Sequence, residues 1–244
     1  MRIKYKTKLG GIIFYIIIIV LIYITIFNVK YYLAKLIALS LAAMCVNLAN
    51  NSNLIKTASL KESKVNEIEL DIDCEIYTVD KKLMGNNNVA AVGLFSRKIF
   101  IERDVQIKLN KMELYAVIMH EVGHLKNKHG VKLFLWRYIS TAITAYGLHM
   151  MSYGNSKINY FITIVGIITV FLLNIYMKKT EHIADDYALK NGCDKTDLIQ
   201  ALNKINDMNV SDRRKMVITN DSHPQLGKRI DHIEDTCCKM KFNQ

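Results

Sequence analysis

His120-Glu121-Val122-Gly123-His124 is the segment of this 244-residue chain whose residue types and spacing most directly imply chemistry. On a helix, residues four apart share a face, so both imidazoles can reach one metal ion. Glu121 projects beside them, placed to take a proton from a water at that metal. A zinc centre that acts on a substrate needs three protein ligands and one open position. Glu181-His182-Ile183-Ala184-Asp185 offers the best third ligand. Glu181 and Asp185 also stand four apart, so Glu181 can ligate while Asp185 hydrogen-bonds a ligand histidine. His182 and His129 are rival ligands. The bland alternative is two surface histidines on one amphipathic helix and two solvated carboxylates on another.

Several elements must position these groups. Leu114, Ala116, Val117, Ile118 and Leu125 flank the histidine pair and predict a helix over Lys111–His129. Cys74–Val79, Val89–Leu94 and Ile99–Ile101 read as short strands, with a turn-rich Gly85-Asn86-Asn87-Asn88 among them. Residues 178–244 read as helical, with Gly192 as a helix stop and Asp194 as the next cap. Four apolar stretches cover residues 11–27, about 31–49, about 133–151 and about 159–177. Each approaches or reaches the length needed to cross a hydrocarbon core of ~30 Å. The first exceeds a secretory h-region and lacks a cleavage site close behind it, so it reads as a retained helix. Arg2, Lys4, Lys6, Lys8, Lys126, Lys128, Lys132, Lys178 and Lys179 fall on one side of such spans, which places termini and polar regions in the cytoplasm.

Composition agrees. The chain is 51% hydrophobic, carries a formal net charge of +11 and has a mean hydropathy of +0.11. The basic residues lie mostly beside apolar runs, and no nucleic-acid-binding motif is present. Cys45, Cys74, Cys193, Cys237 and Cys238 form no disulfide framework, which fits a reducing compartment.

The His120–His124 motif followed by Glu181-x-x-x-Asp185 resembles the HtpX-like membrane metallopeptidases, the wider family of the CAAX prenyl endopeptidase. Ser222-His223-Pro224-Gln225-Leu226-Gly227-Lys228-Arg229 is similar to that family's C-terminal His-Pro segment followed by Arg, and Pro224 is the chain's one proline. Asn88-Val89-Ala90-Ala91 is a weaker echo of its Asn-Ala strand beside the substrate cleft. The resemblance covers about 75–232. It implies that His120, His124 and Glu181 bind one zinc ion and that Glu121 is the general base. It implies Asp185 behind a ligand histidine, His223 at the cleft near the oxyanion, and Arg229 as structural support. His149 and His232 have no matching role and read as structural.

The fold expected is a mainly α integral membrane protein with a small β-sheet. It would have about four transmembrane helices and a cytoplasmic gluzincin-like metallopeptidase domain. Residues 1–50 form the first transmembrane hairpin and 133–177 the second. Residues 51–132 and 178–244 are the two parts of the peptidase domain. The expected function is a multi-pass cell-membrane zinc endopeptidase for membrane proteins or membrane-proximal segments, in protein quality control. Its partners are lipid and protein substrates, without nucleic acid, and the oligomeric state is open. The alternatives are a regulatory membrane metalloprotease cutting one signalling protein, or a non-catalytic scaffold.

Overall fold

The computed structural model describes residues 63–64, 72–84, 88–92, 97–151, 157–213 and 225–242. The expected N-terminal hairpin over 1–50 and His223 lie outside these residues. The chain divides into two compact units, one including residues 135–171 and the other including 57–134 and 172–244.

In the second unit, strands β1 (Ser63–Lys64), β2 (Glu75–Val79), β3 (Val89–Val92) and β4 (Lys98–Glu102) form one sheet in the order β1-β2-β4-β3. β2 and β4 run parallel with Ile76 opposite Ile99, and β3 pairs antiparallel with β4. Parallel neighbours are generally covered on both faces and read as continuous apolar runs, as Ile99-Phe100-Ile101 does here. β3 is an outer strand. β2, β3 and β4 lie within two residues of their sequence-based limits, and β1 was not expected from the sequence. Short helices α1 (Lys81–Met84) and α2 (Arg103–Lys108) flank the sheet.

Helix α3 (Lys111–Lys126) carries the histidine pair. A capping box starts it: the Asn110 side chain accepts from the Met112 and Glu113 amides at 2.9 Å, and Glu113 accepts from the Asn110 amide at 2.8 Å. The face bearing Val117, Ile118, Val122 and Leu125 joins the sheet core formed by Ile76, Ile99 and Ile101. Ala116 and Met119 join a second core with Leu198 of α6 (Lys195–Arg213) and Ile233 of α7 (Leu226–Phe242). α3 is therefore held from both sides. Lys204 of α6 adds a contact of 2.7 Å to each oxygen of the fully buried Glu113.

The sequence predicts one helix to His129, but α3 ends at Lys126. The Asn127 side chain donates to the Gly123 carbonyl at 2.8 Å and closes the last turn. Lys128 then takes a φ of 53°, a left-handed conformation that costs a lysine about 1 kcal/mol. A new helix, α4 (His129–Met151), begins at once.

The third and fourth apolar stretches are helical, in α4 and in α5 (Lys157–Lys190). α5 does not stop with its apolar run. It continues unbroken through Glu181 and Asp185, a length of about 50 Å. Gly192 at φ 87° ends it, and the Asp194 side chain accepts from the Thr196 amide at 2.6 Å to cap α6, as the sequence predicts.

Within residues 135–171, α4 and α5 pair antiparallel. Trp136 donates its indole N–H to the Thr169 carbonyl at 3.1 Å. A Cβ on Gly147 would lie 2.6 Å from the Thr163 nitrogen, and one on Gly166 would lie 2.7 Å from the Thr144 nitrogen. Glycine here lets two backbones touch, as in helix pairs packed without water. Ile158, Phe161, Ile164, Ile167 and Phe171 are exposed. Among the described residues, α5 is the one helix long and apolar enough to cross a membrane.

Candidate metal centre

His120 and His124 lie one turn apart on α3, and their Nε2 atoms are 3.2 Å apart. α5 brings Glu181 against them, with Oε2 3.6 Å from His120 Nε2 and Oε1 3.5 Å from His124 Nε2. The close approach depends on Gly123: a Cβ there would meet the Ala184 backbone at 3.1 Å and the Tyr187 Cβ at 3.0 Å. The residue between the two histidines thus sets how near α5 can come.

The three donors fit zinc. Ligands at ~2.0–2.1 Å around a tetrahedral ion stand about 3.3 Å from one another, leaving the fourth corner open. The separations of 3.2, 3.5 and 3.6 Å match that spacing. No other described group of His, Cys, Asp and Glu converges in this way.

Each histidine of the cluster is held from behind. His120 donates Nδ1–H to Asp185 Oδ1 at 2.8 Å. Asp185 has no exposed surface, and its charge is met by the buried Arg229 of α7, through Nη2 to Oδ1 at 2.6 Å and Nε to Oδ2 at 3.0 Å. Arg229 Nη1 also lies 3.5 Å from Glu181 Oε2. His124 presents Nδ1 to His129 Nδ1 at 3.0 Å. Burial disfavours an imidazolium at His120, but the charge and hydrogen bond of Asp185 outweigh it and raise its pKa to about 9. Burial and the charge of His120 push His124 down to about 3.

Glu121 follows His120 on α3, partly buried, and its charge reaches Arg229. His182, the rival ligand, turns away: its ring meets that of His232 at a tilt of 50°, with centroids 4.3 Å apart. His232 in turn bonds Asp186 at 2.8 Å, which ties α7 to α5 and fits its structural reading. His129, the other rival, faces the back of His124 rather than the cluster. Sequence reasoning missed what it does there.

The sequence profile of Peptidase family M48 matches residues 35–237. The chain belongs to Peptidase family M48. M48 peptidases are zinc metallopeptidases, in accord with the donor set of His120, His124 and Glu181. A CAAX prenyl protease 1 homolog from Dictyostelium discoideum is 29% identical over 138 residues, 48% of this chain and 32% of that protein. The crystal structure of S. mikatae Ste24p has the same fold, with a TM-score of 0.60 at 20% identity, over 92% of this chain and 63% of that one. This M48 chain therefore spans about a third of the curated relative and under two thirds of the solved one.

Proposed function

We propose that this chain is a membrane-embedded zinc endopeptidase that hydrolyses peptide bonds in membrane proteins or membrane-proximal segments, in protein quality control. The convergence of three donor atoms within 4.8 Å, each imidazole held at its other nitrogen, carries the reading. His120, His124 and Glu181 hold the ion. Bound zinc supplies Lewis acidity, which polarises a carbonyl and lowers the pKa of water.

The chain's own residues do the rest. Glu121 takes the proton of the attacking water and passes it to the leaving amine. Asp185, clamped by Arg229, fixes the His120 ring with Nε2 toward the ion. The role of His223 near the oxyanion rests on the family resemblance of the His223-Pro224 segment. β3 is the sheet's outer strand and packs against α3, so an extended substrate adding a strand at β3 would lie beside the helix that carries the histidines.

α5 carries both the apolar stretch and Glu181, which supports a site at the bilayer surface. The proposed arrangement keeps hairpins over 1–50 and 133–177 in the membrane, as about four spans. The peptidase parts, 51–132 and 178–244, and both termini then face the cytoplasm. Metal analysis of the purified protein beside a casein-cleavage assay tests the proposal. Glu121→Gln should abolish cleavage and keep zinc, while His120→Ala should lose both. Cleavage retained by Glu121→Gln would sink it.

A further inference from the structure

We infer that His129 is a positioning residue for the metal centre: it accepts the Nδ1–H of His124 and so holds the His124 Nε2 lone pair on the ion. The inference rests on the proposed zinc ligation by His120, His124 and Glu181.

The tautomers follow from geometry. His124 Nε2 faces His120 Nε2 at 3.2 Å and Glu181 at 3.5 Å, so this nitrogen must be bare to ligate. The ring's proton then sits on Nδ1, which points at His129 Nδ1, 3.0 Å away. Two Nδ1 atoms at that distance need one donor and one acceptor. His129 is therefore the acceptor, with its own proton on Nε2. The two rings meet nearly edge-on, at 78°. His129 is 2% exposed, so its ring is held by its surroundings.

The backbone is bent to make this contact. In an unbroken helix, residues five apart point about 140° away from each other, so His129 could not face His124. Lys128, at φ 53°, breaks the helix and turns His129 back. A non-glycine residue in this conformation persists where its surroundings enforce it, and such residues cluster at functional sites. The capping of α3 by Asn127 and the burial of His129 supply that enforcement.

The two ligand histidines thus receive unlike support. Asp185 backs His120 with a charged acceptor, itself paired with Arg229. His129 backs His124 with a neutral one. Partners of this kind orient a ring and fix its tautomer, and losing one weakens metal binding by roughly 10–100-fold.

Zn2+ affinity measured by chelator competition on the full chain in detergent tests the inference. His129→Leu should bind zinc at least tenfold more weakly than wild type. His129→Asn places an oxygen where Nδ1 stood and should stay within about threefold. His129→Gln moves that oxygen outward by a methylene and should lose affinity as the leucine variant does. The Asn and Gln variants decide the matter even if the leucine variant does not fold. Wild-type affinity in His129→Leu, or equal affinity in the Asn and Gln variants, overturns the positioning role. A wild type that binds no zinc, or a His124→Ala variant that binds it undiminished, instead overturns the metal-centre reading and the positioning role with it.

Discussion

Asp185 is a carboxylate without exposed surface, and it is tolerable because two partners share it. His120 takes one oxygen, and Arg229 spans both. A buried ion pair of this kind is costly to break, because the remaining partner is left as an uncompensated charge. Asp185→Asn should therefore weaken zinc binding by about 10–100-fold and lower the melting temperature. Chelator competition and a thermal melt in detergent would show both, and zinc affinity within twofold of wild type would refute the assigned role. At this scale the sequence was informative wherever helix periodicity holds. His120 and His124, and Glu181 and Asp185, are pairs four apart, and the structure places each pair on one face. Arg229 had no such spacing to reveal it, and only the family resemblance marked it. His129 was hidden for a physical reason. Its role depends on one left-handed residue, Lys128, and lysine gives no signal for that conformation.

α3 and α5 meet through Gly123, so the metal centre depends on one missing side chain. Gly123→Val would push α5 outward and carry Glu181 away from the histidines. Such overpacking costs about 1–3 kcal/mol. Zinc affinity should fall more than in His129→Asn, because the third ligand moves while both histidines remain. An unchanged affinity would contradict the close-approach account. α3 is also held by Glu113, whose charge is opposed by burial but stabilised by Lys204 and the Asn110 amide, keeping its pKa below the ordinary glutamate value of 4.5. Lys204→Met removes that partner and should cost about 2 kcal/mol at neutral pH. A depressed carboxylate pKa stabilises the fold above the unfolded value and loses that contribution as pH falls through the folded value. The stability gap between wild type and Glu113→Gln should therefore narrow below pH 4.5, as melts across an acid series would show. β2, β3, β4 and the starts of α3 and α6 were legible because β-branched runs and capping residues announce them. That the fourth apolar stretch and Glu181 share a helix was not, since the change from apolar to polar at Lys178 reads like an element boundary.

Across the whole chain, the sign of the basic residues predicts which side of the membrane the peptidase parts face. Cys238 is exposed on α7 and reports on this directly. With the other four cysteines changed to Ala, Cys238 should resist a membrane-impermeant maleimide in intact cells and react once the membrane is opened. Labelling of intact cells would reverse the assigned orientation. The proposed ligands also lie on both sides of the apolar hairpin: His120 and His124 precede it, and Glu181 follows it. Read as a sequence of events during synthesis, this layout imposes a delay. The first two are synthesised while the 56 residues that precede Glu181 are still unmade. At ~5–20 residues per second, seconds pass before the third ligand exists, and longer before α7 brings Arg229 to Asp185. A nascent chain therefore cannot hold its metal until the apolar hairpin has been made, so the chain becomes competent to cut only after the segments proposed to anchor it are complete.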